Sequence, residues 1–343
     1  MTDTNGRISR WTAALLVAVA MAACGGGGTV AGASNTEQGN PRNGDYTALA
    51  ANGLDYVLNM DFDKKTYRMS RDGFNVTGAI GSGPGGSFFA PTASIVPLGI
   101  TARFVQSNEA VIGGFPFPGG VLPFVAPRSF YKTLADGAGV YNIVTRSVDT
   151  PTSPASATAN TAVFQGELRA DGKLRTCNDP AISTIADCPT ASVVTGTVAI
   201  AGDVFTSTTP TETIPFRIAH IGADKVLLRA SASGTARRFW IGTPATTTFA
   251  AGSFSGANTD GNWSALNLSP TAHSATLTTP AGATLSRSGT AHAFANGTLA
   301  SLLSLATPNN ESYLAVRSSE LAAVVSAHGS TAAPGYLEIG SRQ

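Results

Sequence analysis

Short apolar or alternating segments, separated by turn residues, follow one another along the chain from Gly44 onward. The segments "LDYVLNMDF" and "KTYRMSRDG" are one such pair. The segments "VFQGELRADGKLRTC" and "IPFRIAHIGADKVLLRAS" each contain a turn of their own, at Asp171-Gly172 and at 222–224. Period-two alternation interrupted by Gly and Asp is typical of β-hairpins. The pattern therefore predicts an all-β fold of antiparallel strands.

Two segments carry a pattern that also suits a helix: "LASLLSLA" near Leu299, and "SSELAAVVSAH", which begins at Ser318 with a plausible N-cap. Both segments are too short for periodicity to decide between helix and strand. Few helices are therefore expected in the protein.

A Gly-x-aromatic motif recurs along the chain, at Gly44-Asp45-Tyr46, Gly139-Val140-Tyr141 and Gly261-Asn262-Trp263. Later in each repeat comes a strand that carries an arginine: Arg103, Arg217 or Arg317. A last strand then closes each repeat, at "RSFYKT", "RRFWIGT" and "GYLEIGS". Repetition at a fixed period indicates that one structural unit has been copied.

We therefore predict two or three related antiparallel β-meander modules, barrel-like or sandwich-like, over 44–135, 139–245 and 256–343. The segments 145–160 and 81–92 are interpreted as polar loops inside the modules. In the repeat alignment "SSELAAVVSAH" is a strand, which overrides its N-cap. The alternative is that β-rich sequences of this composition resemble one another by chance.

Composition and charge narrow the class of protein. Hydrophobic residues make up 43% of the 343 residues, which is enough for hydrophobic cores and excludes a disordered chain. Only 13% of the residues are charged, which suits β-rich proteins outside the cytoplasm. The net charge of +1 provides no electrostatic surface for nucleic acid. Nucleic acid is therefore not an expected partner.

The N-terminal segment has the three parts of a secretory signal. A polar stretch with Arg7 and Arg10 precedes an apolar run from Trp11 to Ala20, and small residues lead up to Cys24. The run is shorter than the ~20 residues that span a bilayer as a helix. Met21-Ala22-Ala23-Cys24 resembles the lipobox of bacterial lipoproteins. The resemblance implies that residues 1–23 are a signal peptide and that Cys24 is lipidated. Ordinary cleavage after Ala22, which would leave a secreted protein, stays open.

Residues 24–43 contain Gly25 to Gly28 followed by polar residues, and they show no hydrophobic periodicity. Such a segment is typical of a flexible tether. Gly25 after the cysteine is similar to lipoproteins sorted to the outer membrane. The resemblance thus implies an exported protein, anchored by lipid in the bacterial cell envelope, at the outer rather than the inner membrane.

The chain has three cysteines. If lipid occupies Cys24, then Cys177 and Cys188 form an even pair, and an exported protein would join them in a disulfide. A metal site is the alternative, but the segment has no neighbouring histidine and no CxxC spacing. We therefore predict a disulfide, with no metal site.

No catalytic motif stands out. His220, His273, His292 and His328 are scattered, and Ser129-Phe130-Tyr131-Lys132 lacks the partner motifs of an S-x-x-K enzyme. No cofactor is expected.

The segment "GGFPFPGGVLPFVAP" is apolar but rich in Gly and Pro, so it is interpreted as an exposed contact loop. Its apolar side chains are Phe115, Phe117, Leu122 and Phe124. Core packing is the alternative for these aromatic residues.

The sequence favours a lipid-anchored envelope protein with a binding or structural role over an enzyme. Its expected partners are the membrane, through the N-terminal lipid, and an envelope protein or a small apolar ligand. The second hypothesis is a lipocalin-like carrier of a small apolar ligand, for which an apolar cavity would be the discriminating feature. The third is an envelope hydrolase with dispersed catalytic residues.

Overall fold

Antiparallel strands make up most of the computed structural model. It describes residues 39–83, 86–92, 98–149, 158–179, 184–294, 297–305, 310–327 and 333–343. Cys24, the signal peptide and nearly all of the predicted tether lie outside these ranges, so lipidation stays a prediction.

The strands form three consecutive barrels, each with eight strands in the described ranges. Barrel 1 contains β1 (Gly44–Ala50), β2 (Asp55–Asp61), β3 (Thr66–Arg71), β4 (Phe74–Gly83), β5 (Gly86–Pro91), β6 (Arg103–Gln106), β7 (Ala110–Phe117) and β8 (Gly120–Pro127). Helix α1 (Leu98–Thr101) precedes β6. Helix α2 (Leu134–Gly137) follows β8 and leads into the second barrel.

Barrel 2 contains β9 (Gly139–Asp149), β10 (Thr158–Leu168), β11 (Lys173–Cys177), β12 (Val193–Ala201), β13 (Val204–Thr208), β14 (Thr213–Ile221), β15 (Asp224–Ser233) and β16 (Ala236–Pro244). Barrel 3 contains β17 (Gly252–Asn258), β18 (Trp263–Leu268), β19 (Ala272–Thr278), β20 (Thr284–Ala293), β21 (Leu299–Leu305), β22 (Asn310–Arg317), β23 (Leu321–Ser326) and β24 (Leu337–Arg342). Neither helix in the described ranges has the length and apolar character needed to cross a bilayer.

Each strand pairs with the next one along the chain, and the last strand of each barrel pairs with the first. Barrel 2 closes along a long seam between β9 and β16, from Ala236↔Asp149 to Pro244↔Tyr141. Barrel 1 closes on only two residue pairs, Leu49↔Val125 and Ala50↔Phe124. The prediction of an all-β, antiparallel meander of barrel-like units with few helices is confirmed.

Each predicted module corresponds to one barrel. Barrel 3 begins at Gly252, before the predicted boundary at residue 256. The Gly-x-aromatic alignment is wrong in the third repeat. Gly44 and Gly139 open the first strand of their barrels, whereas Gly261 precedes the second strand of barrel 3. The equivalent motif there is Gly252-Ser253-Phe254, at the start of β17. The arginine motifs are in register, because Arg103, Arg217 and Arg317 all lie in the sixth strand of a barrel.

The structure corrects or resolves the local predictions for five segments. "LASLLSLA" and "LAAVVS" form strands β21 and β23. "RSFYKT" is not the last strand of barrel 1, because β8 ends at Pro127. It runs beside β14 instead, through the bridge Phe130↔Ala219. The predicted loop 81–92 is mostly strand, because β4 and β5 form a hairpin there. The described parts of the other predicted loop are also strand, since β9 extends to Asp149 and β10 begins at Thr158. Residues 150–157 lie outside the described ranges.

Several strands are buried on both faces because the barrels pack against one another. Every residue of β23 is buried. Its residues Leu321, Ala323 and Val325 join a hydrophobic cluster that includes residues of all three barrels, which we call the interbarrel core. Its residues Ala322 and Val324 belong to the separate core of barrel 3. A strand buried on both faces has a continuous apolar sequence instead of an alternating one, which explains why this segment suited a helix equally well.

The predicted contact loop is wrong. Phe115 and Phe124 are fully buried, and Phe117 and Leu122 are only 4% and 8% exposed. They lie on β7 and β8 and pack inside barrel 1, where the Phe117 and Phe124 ring centroids are 6.0 Å apart.

The glycines and prolines of this segment have local reasons. A Cβ on Gly113 would lie 2.2 Å from the carbonyl oxygen of Arg103, so only glycine permits this approach of β6 to β7. The β6–β7 pairing ends at Phe104↔Gly113. The nitrogen of Pro116, beyond that point, therefore has no ladder hydrogen bond to β6 to make.

Arg146 on β9 connects all three barrels. Its Nη1 donates to the carbonyl oxygen of Ala51 in barrel 1 at 2.9 Å. Its Nε donates to the carbonyl oxygen of Gly335 in barrel 3 at 2.7 Å. Burial lowers the pKa of Arg146 to about 10, opposed by the nearby Asp260 carboxylate. The guanidinium therefore stays charged at neutral pH while it links the barrels.

Candidate binding cavity

Barrel 2 is hollow. A cavity of about 550 Å³ lies inside it. Strand β9 shows how the sequence builds the wall: Tyr141, Ile143, Thr145 and Ser147 alternate along one face of the strand and line the cavity. Val144, on the opposite face, lies in the interbarrel core. The period of two residues thus separates the cavity-facing side chains from those that join the barrels.

The floor of the cavity includes Tyr141, and helix α2, which precedes barrel 2 in the chain, packs behind this residue. Thr133 caps this helix by accepting a hydrogen bond from the Asp136 backbone nitrogen at 3.1 Å. Gly137 sits on the ring of Phe205, where an added Cβ would lie 2.8 Å from ring carbons. The Tyr141 hydroxyl donates to the Gly137 carbonyl at 2.6 Å. The helix is therefore fixed against the apolar residues at this end of the barrel.

The middle of the wall is apolar. Six side chains from five strands form most of this surface: Phe164, Leu174, Ile214, Phe216, Leu227 and Trp240. The Phe164 and Trp240 rings meet edge to face, with centroids 5.6 Å apart. Both rings point to the inside of the barrel and yet are only partly buried. The cavity therefore exposes aromatic surface that no protein group covers.

The opposite end of the cavity is polar. It is lined by Asn178, Asp179, Glu212, Arg229 and Arg238, a set we call the mouth. Burial lowers the pKa of Arg229, and the like charge of Arg238 adds to this while Glu212 opposes it. The arrangement of apolar floor and wall with a charged mouth is typical of a site for one small, largely apolar ligand.

The predicted disulfide is confirmed. Cys177 and Cys188 are joined, with their Cα atoms 5.7 Å apart. Cys177 ends β11, directly before the mouth residues Asn178 and Asp179. The segment it closes is held on the outer face of β10, where the Ile185 nitrogen donates to Gln165 Oε1 at 2.7 Å. The disulfide thus fixes chain at the edge of the mouth, away from the cavity wall.

No protein-family model, curated protein or solved structure matches this chain. The interiors of the three barrels differ from one another.

The interior of barrel 1 is filled by aromatic rings. Phe89 is at the centre, with ring centroids at 4.7 Å from Tyr67, 4.4 Å from Phe104 and 5.1 Å from Phe115. Eight-stranded barrels are just wide enough either to be filled by side chains or to hold one small ligand. Barrel 1 has the first kind of interior and barrel 2 the second.

The interior of barrel 3 contains a buried ionic network. Arg287 donates to the Tyr313 hydroxyl at 2.8 Å and lies 3.7 Å from a Glu311 oxygen and 3.6 Å from a Glu338 oxygen. The Tyr336 hydroxyl donates to Glu338 at 2.6 Å. Ser264 also donates to this carboxylate. A space of about 290 Å³ lies beside the network. Since these side chains are partnered by one another, we interpret the network as structural.

The histidines that the sequence scattered are also apart in the structure. His273 is buried in barrel 3, and His220 packs against Tyr131 outside the barrel 2 cavity. His292 is exposed, and His328 lies outside the described ranges. Sequence reasoning missed the mouth arginines and the difference between Phe239 and Trp240. Phe239 does lie in the interbarrel core, but Trp240 lines the cavity. Their alternation along β16 was the signal that could have separated them.

Proposed function

We propose that the protein binds one small apolar ligand inside barrel 2. The observation that carries this proposal is the cavity of about 550 Å³ with its apolar wall. Ligand pockets in proteins typically have volumes of ~300–1,000 Å³ and combine apolar walls with a few polar groups. Of the hypotheses from the sequence, the lipocalin-like carrier is the one whose discriminating feature is present.

The physical driving force is the removal of apolar surface from water. Phe164 and Trp240 present ring surface to the cavity. Burying such surface against a ligand contributes roughly 25 cal/mol per Å². A ligand that fills the cavity beside these two rings would also gain dispersion contacts with the wall.

The proposed setting is the bacterial cell envelope. In this proposal Cys24 carries the lipid anchor, and residues 24–43 tether the barrels to the membrane surface. Two or three acyl chains hold a protein at a membrane effectively permanently, whereas one gives only marginal binding. The protein would thus take up or deliver its ligand near the membrane in which it is anchored, with the outer membrane favoured over the inner.

The cavity can be tested with N-phenyl-1-naphthylamine, a neutral probe whose emission rises in apolar sites. We expect saturable binding with about one probe per chain, accompanied by quenching of Trp240 fluorescence. Thr176 lines the cavity from β11, and Thr176→Phe would fill part of the space. We expect this variant to weaken probe binding by about tenfold, which corresponds to ~1.4 kcal/mol.

The matched control is Lys173→Phe, because Lys173 lies on the same strand and is exposed. It adds the same ring on the outside of the barrel and should leave the affinity unchanged. Circular dichroism must show that both variants fold. Absence of saturable binding to the intact protein, or equal binding by folded Thr176→Phe, would contradict the proposal.

The anchor is tested separately in bacteria. The unsubstituted protein is expected in the membrane fraction, with a fatty-acid label incorporated. Cys24→Ser should leave the signal peptide uncleaved by the lipoprotein route and should incorporate no label, because serine offers no sulfur for the diacylglycerol. Cys188→Ser provides the control, since it removes a cysteine with a different role, in the disulfide with Cys177. An unchanged mass and label in Cys24→Ser would show that the lipobox interpretation is wrong.

A further inference from the structure

Two arginines lie side by side on the cavity face of barrel 2. Arg229 on β15 is the cross-strand partner of Trp240 on β16, and Arg238 is the partner of Ser231. Residues directly opposite each other on paired strands share one face of the sheet. Both arginines line the cavity. The guanidinium carbon of Arg229 lies 4.4 Å from the centroid of the Trp240 ring, so this charge is held against the apolar wall.

The two arginines differ in their ionic partners. Arg238 lies 3.3 Å from an Asp149 oxygen, and that carboxylate side chain is 49% exposed. Arg229 donates a hydrogen bond to the Ser231 hydroxyl at 3.1 Å. It makes no ion pair with any carboxylate in the described part of the chain. Glu212 and Asp179 also belong to the mouth, and Glu212 is exposed to solvent. The Glu212 carboxylate acts on Arg229 without forming a direct ion pair with it, so the remaining N–H donors of this guanidinium are available to a ligand.

A guanidinium in this position favours an oxyanion. Its planar fork of N–H donors matches the two oxygens of a carboxylate, and charge-assisted hydrogen bonds are about twice as strong as neutral ones. Burial lowers the pKa of Arg229, the Glu212 carboxylate opposes this and the like charge of Arg238 adds to it, so burial still disfavours the charged guanidinium. An anion at this point would relieve that cost. A single negative charge is enough, because Asp149 already pairs with Arg238.

We propose that the ligand is an amphiphile with a carboxylate head group, which pairs with Arg229 at the mouth while an aliphatic chain occupies the apolar cavity. This inference rests on the proposed function, since it names the chemical class of ligand for the same cavity. Arg238 is the second donor within the mouth. The Trp240 ring orients the Arg229 guanidinium and closes its far side.

The test compares dodecanoate, dodecanol and dodecylammonium, which share one chain and differ in head group. Each competes with N-phenyl-1-naphthylamine for the full-length protein. We expect dodecanoate to bind about tenfold more tightly than dodecanol, as charge-assisted hydrogen bonds require, and dodecylammonium to bind most weakly.

In Arg229→Gln the ratio of the two dissociation constants, for dodecanol and for dodecanoate, should fall to about one. Arg237→Gln is the matched control. Arg237 precedes the mouth residue Arg238 on β16, and its side chain lies on the opposite face of the strand, away from the cavity. Its ratio should stay that of the unsubstituted protein.

The outcomes separate this inference from the proposed function. If dodecanol binds as tightly as dodecanoate, or if folded Arg229→Gln keeps the preference, the carboxylate inference is overturned and the apolar cavity stands. Preference for dodecylammonium would also overturn it and would point to Glu212 and Asp179 as the selective groups. If the probe binds but neither dodecanoate nor dodecanol displaces it, the carboxylate inference is overturned. If the probe itself does not bind, both proposals are overturned.

Discussion

Arg287→Met is expected to lower the free energy of unfolding by about 3–5 kcal/mol, the usual cost of removing one partner from a buried ionic group. The substitution leaves the carboxylates of Glu311 and Glu338 in the interior of barrel 3 without their guanidinium. Glu338 is almost fully buried, so water cannot replace the lost partner. Urea unfolding followed by far-ultraviolet circular dichroism and by fluorescence measures the change.

Two further variants test the reason for this loss. Arg342→Met makes the same substitution at an exposed position at the end of β24 and should change stability by no more than about 0.5 kcal/mol. The double variant Arg287→Met with Glu338→Gln removes one of the unpaired carboxylates and should recover part of the loss. If Arg287→Met is as stable as Arg342→Met, the network is not the buried ionic group that its geometry indicates.

Stability is expected to fall as the pH drops below about 6.5, because of His273. This side chain is 1% exposed. Burial, with a smaller contribution from the positive charge of Arg287, lowers its pKa from 6.5 to about 3. Between these two values the unfolded chain binds a proton that the folded chain does not bind. The free energy of unfolding therefore decreases as the pH falls through this window, by up to ~1.4 kcal/mol per pH unit.

The measurement is the urea midpoint at several pH values for the unsubstituted protein and for His273→Gln, which cannot titrate. Burial raises the pKa of Asp260, and this acts in the opposite direction, so the difference between the two proteins isolates the histidine. We expect the difference to change across the window and to be constant above it. His292→Gln, at an exposed position, is the control. Parallel pH dependences for the unsubstituted protein and His273→Gln would contradict the assignment.

The alternating strands could be predicted from the sequence because each has one apolar face. The β2–β3 hairpin, the turn at Gly172 and the turn at Gly222 lie where the pattern placed them. The prediction failed where a strand is buried on both faces. In β23 and in β7 the second apolar face exists only because other barrels pack there, and no local pattern distinguishes such a strand from a helix or from an apolar loop.

The cavity could not be predicted, because it depends on the sum of side-chain volumes over eight strands. Gly166, Thr145, Thr176 and Ser207 all line the cavity of barrel 2. The interior of barrel 1, in contrast, contains phenylalanine rings. Each of these small residues is ordinary in its own strand. Only the register that brings them together shows that the interior is left unfilled.

Helix α2 makes barrel 2 dependent on the segment that follows barrel 1. The segment that leaves barrel 1 pairs with β14 through Phe130 and then packs Gly137 against Phe205 at one end of barrel 2. Barrel 2 is therefore not an independent module, although its eight strands close on themselves. A copy of barrel 2 that began at Gly139 would lack helix α2, so duplication or exchange of this barrel preserves the packing at that end only if the preceding segment moves with it.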